Sequence, residues 1–309
     1  MEKSARQSST GDLDSRWTAF QSRIEIARGE YAQSHVATPL YALVDARGLP
    51  DLRGALERLG NVPFNALWDG TDLSAHKDIS PLLITVDLAA SDPGVPFQLL
   101  KRLWRFSEDG FMVSWVWSPY DLDEVANHFR GYCEYTLADR RAFYLHFYDN
   151  RILERLRQTW TREEQARFAS VGFGIWYRSR AGDDCTWVTD TPQRPEFIPT
   201  LTMTHEQHLA LLGLGIADKI AMQIAALAGS RLDHLSQEEL HRAVHVQVER
   251  AARYWLKDER DMLSYVFKGL LVSPRFDEHP LIQPQLERAA IGRASFAEVL
   301  STVNESHHE

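Results

Sequence analysis

Short apolar runs alternate with amphipathic runs along the first two thirds of the chain. The apolar runs predict strands at 41–46, 64–68, 81–88, 111–117, 172–179 and 186–189. The amphipathic runs predict helices at about 15–31, 52–59, 96–106, 122–130, 150–160 and 162–170, after a polar tail at 1–13. Such an alternation indicates a mixed sheet with helices packed on it. Both faces of 111–117 are largely apolar, which predicts an internal strand covered on both sides.

The last third of the chain has a different pattern. Three prolines in the segment 189–199 indicate a linker, and no strand pattern follows it. Capping boxes predict helix starts at Thr204, Ser236 and Ser295, and an apolar helical stripe runs from Leu240 to Trp255. We therefore expect an α/β (α+β) protein with a tail and first helix at 1–38, a lobe with a mixed β-sheet flanked by helices at 39–195, and an all-helical lobe at 196–309.

The stretch 142–153, AFYLHFYDNRIL, is the corner around which the first lobe is organised. It predicts an aromatic strand, paired in a hairpin with 133–136, that places Phe147 and Tyr148 on opposite faces. Asp149 is then positioned to cap the following helix. Arg151 lies in the first helical turn, where a cation opposes the helix dipole. A carboxylate or carbonyl group, from the fold or from a partner, is therefore expected beside Arg151.

Two acids of the chain are candidates for an internal partner of Arg151. Asp45 ends the first predicted strand, and Asp69 forms a turn with Gly70 after the second. An ion pair with either acid would make Arg151 structural. An exposed guanidinium would instead orient a carboxylate or carbonyl group of a binding partner, and the sequence leaves both interpretations open.

Composition and charge narrow the class of protein. The chain has 309 residues, a formal charge of −9 and a pI near 5.8, and no cluster of Lys and Arg with interleaved aromatics. Nucleic acid is therefore an unfavourable partner. The polar start resembles no signal peptide, and no window approaches the roughly 20 apolar residues of a membrane span. Two cysteines, Cys133 and Cys185, fit a reducing compartment, so a soluble cytoplasmic protein without membrane contact is expected.

Catalytic signatures are weak. His241 and His245 have the spacing of a zinc helix, but Arg242 stands where the hydrolytic motif requires a glutamate. His146 on the aromatic strand is a second candidate base. The chain contains no P-loop, no G-x-G-x-x-G and no G-x-S-x-G. A small-molecule hydrolase or metal enzyme using His146 or the His241/His245 pair stays open as the alternative to a binding protein.

Tryptophans of the sheet half offer another kind of chemistry. Trp104, Trp115 and Trp117 fill the core in one interpretation. In the other they anchor a partner segment in a groove, because Trp, Tyr and Arg dominate binding hot spots. The sequence does not decide which faces the chain's own helices cover.

Five segments together resemble one protein family. They are YALVDAR (41–47), LWDGT (67–71), SPLLITVD (80–87), SWVWSPYDLDEVANHFR (114–130) and FYDNRIL (147–153). Their order and spacing are similar to those of the adaptor/chaperone family of bacterial type VI secretion systems. That family has an aromatic strand followed by Tyr-Asp-Pro-Arg and an aliphatic pair. Here Tyr148, Asp149 and Arg151 match this corner, and Asn150 replaces the proline.

The resemblance covers about residues 39–210, with a weaker similarity at 254–280 to the helical extension of many members. It implies a non-enzymatic cytoplasmic protein, without cofactor or metal, that binds a cognate secreted effector and loads it onto the spike protein. A scaffold that holds spike components together without an effector is a third hypothesis. The candidate partner-binding residues are Phe147, Tyr148, Arg151, Trp104, Trp115 and Trp117, and the candidate structural corner is Asp149, Asp69 and Gly70.

Overall fold

The computed structural model describes residues 2–33, 38–88, 94–189, 191–194, 201–256 and 258–303. The chain divides into two compact units, Met1–His208 and Leu209–Glu309. The α+β class, with an antiparallel sheet in the first part and helices in the last, is confirmed. The segment 189–199, predicted as a linker, lies partly outside the described residues.

Strands and helices of the first unit follow the predicted alternation. In chain order the strands are β1 (Leu40–Val44), β2 (Phe64–Ala66), β3 (Leu82–Val86), β4 (Val113–Trp117), β5 (Glu134–Thr136), β6 (Ala142–Tyr144), β7 (Gly174–Arg178), β8 (Asp184–Val188) and β9 (Leu201–Thr202). The helices are α1 (Glu2–Ala32), α2 (Leu52–Leu59), α3 (Gly94–Gly110), α4 (Leu122–Arg130), α5 (Asn150–Thr159), α6 (Arg162–Ala169) and α7 (His205–Leu214), the last of which crosses the unit boundary.

The main sheet has six strands in the order β2-β3-β1-β4-β7-β8, and every pair in it is antiparallel. A smaller sheet has the order β6-β5-β9, and its β5–β9 pair is parallel. Among the described strands, the parallel pairing expected of a mixed sheet therefore occurs only in the small sheet. The strand β9 also corrects the expectation that no strand follows residue 199, because two residues are too short for a recognisable alternation.

Helices cover both faces of the main sheet around β4, whose five residues are all buried as predicted. On one face, Trp115 and Trp117 share a core with Trp17 of α1 and Trp104 of α3. On the other face, Ser114 donates to Oδ1 of Asn150 at the start of α5, at 2.7 Å.

Local signals placed most helix ends correctly. Gly60 ends α2 in the left-handed conformation, with φ of +68°, as its position after Leu59 predicts. Capping boxes are present at Asp121 and Ser236, and Thr204 and Gln207 exchange the same pair of bonds. The helix start predicted at Ser295 is confirmed, because a helix begins at Phe296, but Ser295 makes no side-chain cap bond. The first helix also begins earlier than predicted, at Glu2 rather than near residue 15, because residues 2–14 contain no proline to stop it.

The second unit is helical. It contains the end of α7 followed by α8 (Ile216–Ala228), α9 (Gln237–Ala252), α10 (Glu259–Leu271), α11 (Gln283–Ala290) and α12 (Phe296–Thr302). Their shared core includes Ile224, Val244 and Leu286. The predicted stripe from Leu240 to Trp255 is only partly buried. Trp255 lies beyond the end of α9 with φ of +55° and is 73% exposed.

Among the described residues, one stretch, His205–Leu232, is long and apolar enough by composition to cross a membrane, with a mean hydropathy of 1.5. The expectation that no window comes close to a membrane span was based on uninterrupted apolar residues alone. Judged by mean hydropathy, it is wrong. In the structure the stretch is α7, α8 and a short 3-10 turn, with Gly215 between the two helices. Only 28% of its apolar window is buried. The fold is consistent with a soluble protein.

Candidate functional site

Three elements meet at the predicted corner. The N–H of Asp45, directly after β1, donates to the carbonyl oxygen of Met112 at 2.8 Å, just before β4. The N–H of Asn150, at the start of α5, donates to the carbonyl oxygen of Phe111 at 2.9 Å. The end of β1, the beginning of β4 and the first turn of α5 are therefore fixed together by backbone hydrogen bonds.

The aromatic stretch is a short strand followed by a turn, not one strand to Tyr148. Only Ala142–Tyr144 pairs as β6, and the N–H of Asp149 then donates to the carbonyl oxygen of His146 at 3.0 Å. This turn replaces the predicted alternation, so Phe147 and Tyr148 are its two central residues. Both side chains are buried. Phe147 stacks on Phe129 with ring centroids 5.6 Å apart, and the Tyr148 ring meets the Trp68 ring edge-on at 6.4 Å.

Asp149 is the acid that Arg151 requires. Its carboxylate caps α5 by accepting from the N–H of Arg151 at 3.0 Å, as predicted. It also accepts from Nε and Nη2 of Arg151 at 2.8 and 2.6 Å. The unfavourable position of this cation in the helix dipole is thus offset by a buried carboxylate two residues away.

The internal acids expected for Arg151 have arginine partners of their own. Asp69 pairs with Arg53, whose Nη1 lies 2.9 Å from Oδ1, and Gly70 completes the turn after Trp68 with φ of +78°. Asp45 accepts from Nε of Arg47 at 2.9 Å and from its Nη2 at 2.5 Å. An internal ion pair was therefore a correct alternative for Arg151, but the observed partner, Asp149, was not among the acids considered.

Arg47 joins the two acidic residues of this region. Its Nη2 lies 3.3 Å from Oδ2 of Asp149 in addition to its bonds with Asp45. Hydrogen bonding to Asp45 raises the pKa of the Arg47 guanidinium above its ordinary value. We call Asp45, Arg47, Asp149 and Arg151 the arginine corner. Sequence reasoning missed Arg47, although the Asp-Ala-Arg at the end of β1 lay within the YALVDAR segment.

In the arginine corner the two acids are buried and the two arginines are partly exposed. The side chains of Asp45 and Asp149 are 1% and 5% exposed, whereas those of Arg47 and Arg151 are each 34% exposed. Among the described residues, none accepts a hydrogen bond from Nη1 of Arg47. The buried carboxylates therefore fix the guanidinium groups in orientation while part of each faces solvent. Such an arrangement can bind a carbonyl or carboxylate group from outside.

His146 and Tyr148 lie beside the arginine corner. Nδ1 of His146 is 2.5 Å from the Tyr148 hydroxyl, and the Arg47 guanidinium lies 5.7 Å from the Tyr148 ring. Burial, and secondly the charge of Arg47, lower the pKa of His146, while burial raises the pKa of Tyr148 far above its ordinary value. Both side chains are therefore neutral at pH 7, and this hydrogen-bonded pair lies beside the Arg47 guanidinium.

The tryptophans proposed as partner anchors lie in the core. Trp104, Trp115 and Trp117 are buried with α1 against the sheet face opposite the arginine corner. The structure thus brings Phe147, Tyr148 and Arg151 together and places the tryptophans elsewhere. Each of these rings has a packing role, and direct contact of any of them with a partner stays a prediction.

The histidines named for the enzyme alternative belong to different units, His146 to the first and the His241/His245 pair to the second. His241 and His245 stack with centroids 6.1 Å apart on α9, and they pair with Asp218 at 3.6 Å and Glu249 at 3.4 Å. Across the described residues, no group of three His, Cys, Asp or Glu side chains is arranged to hold a metal ion.

The two cysteines are free thiols. Burial raises the pKa of Cys133 to about 12 and also raises the pKa of Cys185. Both thiols are therefore protonated at neutral pH, which disfavours them as nucleophiles.

The comparisons with known proteins concern the part of the chain that contains this site. No curated protein and no solved structure matches the chain. Residues 40–167, from β1 to the last turn of α6 and including the whole arginine corner, match the model of a family described as a domain of unknown function, DUF4123.

Proposed function

We propose that this protein is an adaptor/chaperone that binds a cognate type VI secretion effector in the cytoplasm and loads it onto the spike protein. The observation that carries the proposal is the resemblance of five segments to the adaptor family, and the family match over residues 40–167 covers the same part of the chain. All five segments that resemble the adaptor family lie inside this matched range. The matched family is described only as a domain of unknown function, so the role comes from the resemblance of the segments.

The placement of these segments supports the proposal. YALVDAR forms β1 and contributes Asp45 and Arg47, while FYDNRIL contributes the turn and the start of α5. LWDGT supplies Trp68, which packs on Tyr148. Segments that are far apart in the chain therefore build one local structure. None of these segments is distinctive alone. Their shared contacts explain why the segments occur together.

The arginine corner is the recognition element that we assign to this function. Its guanidinium groups are already oriented by Asp45 and Asp149, so little side-chain entropy is lost when they bind a partner. Their partly exposed donors suit the carbonyl or carboxylate groups of an effector segment. Guanidinium groups bind carbonyl and carboxylate groups in general, so the arginine corner does not select one effector side chain. Effector specificity therefore comes from other contacts.

The second unit supplies apolar surface. The most exposed large apolar side chains in it, each more than half exposed, are Leu209, Leu212, Met222, Leu227, Trp255, Leu281 and Ile291. A contiguous patch built from such side chains would favour a protein partner over a small-molecule substrate.

Affinity capture tests the proposal. The full chain, tagged and expressed in its native cell, is expected to co-purify with a spike protein and a toxin-like protein identified by mass spectrometry. The two recovered proteins are then purified and mixed with the chain, and a ternary complex is expected on gel filtration.

The control bait for this capture is an unrelated tagged protein of similar acidity. Recovery of the spike protein without any effector would favour the scaffold hypothesis. Recovery of neither protein, together with turnover of a small molecule, would overturn the loading role.

A further inference from the structure

A cavity of about 80 Å³ lies on the sheet face opposite the arginine corner. Arg16, Phe20 and Arg23 of α1 form one wall, and Trp104, Trp115 and Trp176 line it from α3 and the sheet. A buried water occupies roughly 30 Å³. The cavity is therefore large enough for a group of a few heavy atoms, such as a carboxylate with the carbon that bears it.

The positive and negative charges around this cavity differ in number and in exposure to solvent. Arg16, Arg23 and Arg178 line it together with Glu108 and Asp184. Among the described residues that line the cavity, three guanidinium groups stand against two carboxylates, an excess of one positive charge. The acids also differ in exposure, because the side chain of Glu108 is 7% exposed and that of Asp184 is 68% exposed. Water screens Asp184, so its charge counts for less inside the cavity.

Glu108 is already neutralised by its neighbours. Arg16 forms an ion pair with Oε2 of Glu108, and Nη1 of Arg178 lies 3.6 Å from the same oxygen. The nearest carboxylate to Arg23 is Asp184, at 3.9 Å from Nη1, which is the outer limit of an ion pair. Among the described arginines that line this cavity, Arg23 therefore has the weakest ion pair with its nearest carboxylate.

Arg23 is nevertheless held firmly in place. Its Nη2 donates to the hydroxyl of Thr186 at 2.6 Å, and its guanidinium carbon lies 4.0 Å from the centroid of the Trp176 ring. Burial lowers the pKa of Arg23 from its ordinary value, which reflects the cost of removing this cation from water. An anion placed beside it would offset that cost.

We propose that this cavity is a binding site for a single carboxylate group, with Arg23 as its main ligand. A carboxylate matches the planar fork of a guanidinium, and one negative charge balances the excess. A dianion such as phosphate is disfavoured by Glu108 and Asp184. The carboxylate is that of a small organic acid or that of a peptide, from an acidic side chain or a chain terminus. The proposal does not depend on the proposed function.

Sodium acetate is the probe for the shared chemistry. Three tryptophans line the cavity, so the intrinsic fluorescence of the full chain is expected to change in a saturable way with acetate, with a Kd on the order of millimolar. Sodium chloride at equal ionic strength serves as the reference. If acetate and chloride have the same effect, or if acetate does not saturate, the proposal is overturned.

Variants assign the binding to Arg23. Arg23→Gln is expected to weaken acetate binding by about tenfold or more, because a charged hydrogen bond is lost. Arg28→Gln is the matched control, since Arg28 is exposed on the same helix and does not line the cavity. Asp184→Asn is expected to tighten binding by about two- to threefold, because it removes a screened negative charge. This variant keeps the test valid if Arg23→Gln does not fold. Unchanged affinity in a folded Arg23→Gln, or weaker binding in Asp184→Asn, would contradict the assignment.

Two further probes separate the sources of the carboxylate. One is a short peptide that contains a single glutamate and an amidated C-terminus, and the other is the same peptide with glutamine and a free C-terminus. Tighter binding of either peptide than of acetate indicates a peptide ligand and shows which carboxylate is bound. Binding of acetate alone indicates a small organic acid.

Discussion

Arg47 and Arg151 donate to the same oxygen, Oδ2 of Asp149, at 3.3 and 2.6 Å. One buried carboxylate thus orients two half-exposed guanidinium groups that belong to different elements, the residues after β1 and the first turn of α5. The arrangement is costly for stability alone, because burying charges costs desolvation energy that apolar packing does not. It is useful for recognition, because both cations keep part of their surface in water while their geometry is fixed.

Replacement of Arg151 separates these two roles. Arg151→Ala leaves Asp149 paired with Arg47 and still able to accept from the backbone N–H that it caps. We expect the free energy of unfolding to fall by about 1 kcal/mol, since the lost ion pair is partly exposed. Capture of the effector or spike protein is expected to fall much more strongly. Urea unfolding and the affinity capture described above measure the two effects.

The matched control for Arg151→Ala is Gln158→Ala, an exposed position on the same helix. It is expected to change neither stability nor capture. If Arg151→Ala unfolds the first unit, or if the folded variant captures its partners as the wild type does, Arg151 is structural only.

Asp149 is expected to be the most sensitive residue of the arginine corner. Asp149→Ala removes the cap of α5 and the carboxylate shared by two partly exposed guanidinium groups, so we expect a loss of about 2–3 kcal/mol. Asp149→Asn retains the cap but not the charge, and its loss is expected to be smaller. Urea unfolding monitored by circular dichroism compares them. The control is Asp139→Ala, which removes an acid that pairs with Arg141 in an exposed hairpin and is expected to change the unfolding free energy much less. Equal losses of unfolding free energy in Asp149→Ala, Asp149→Asn and Asp139→Ala would contradict this account.

Local signals and distant contacts explain which parts of this site were predictable. The cap by Asp149 and the capping box at Asp121 depend on residues within three positions, so the sequence contains them in full. The role of Arg47 depends on Asp149, 102 positions later along the chain, and no periodicity connects the two. Sequence reasoning therefore detected that Arg151 requires an anion but not which acid supplies it.

Two larger errors have the same physical origin. The alternation of aromatic residues predicted a strand to Tyr148, but the chain turns after His146, and Phe147 packs on Phe129 while Tyr148 packs on Trp68. The cavity beside Arg23 was not predictable, because Arg23 and Thr186 meet only when α1 covers the sheet. In both cases tertiary packing decided the outcome over local pattern.

Acid is expected to destabilise the first unit through His128. This side chain is buried, its Nε2 lies 2.8 Å from the carbonyl oxygen of Phe168, and burial lowers its pKa to about 4. The unfolded chain has the ordinary value of about 6.5 and binds the proton more readily than the native state. The stabilisation is therefore complete above about pH 6.5 and is lost progressively as the pH falls to about 4, in total about 3 kcal/mol.

His128→Gln tests this expectation. Glutamine can donate to the same carbonyl oxygen but does not titrate, so the fall in unfolding free energy between pH 7 and pH 4.5 is expected to be smaller than in the wild type. His146, whose pKa is also lowered, contributes in the same direction, and the difference between the two proteins isolates His128. His76→Gln, at an exposed position, is the control. If the unfolding free energy of His128→Gln falls with pH as steeply as that of the wild type, His128 is not the titrating group.

Gly172 is where the chain passes closest to the central strand before it enters β7. A Cβ at this position would lie 2.4 Å from the backbone oxygen of Trp117, and that oxygen is held by the N–H of Phe173 at 2.8 Å. Because backbone cannot move aside as a flexible side chain does, we expect Gly172→Ala to lower the unfolding free energy by about 2–3 kcal/mol. Gly29→Ala is the opposite case, since nothing lies within 4 Å of its Cβ on α1, and we expect a gain of about 0.5–1 kcal/mol. Thermal unfolding of both variants measures the contrast. A neutral Gly172→Ala would mean that the β4–β7 junction adapts freely.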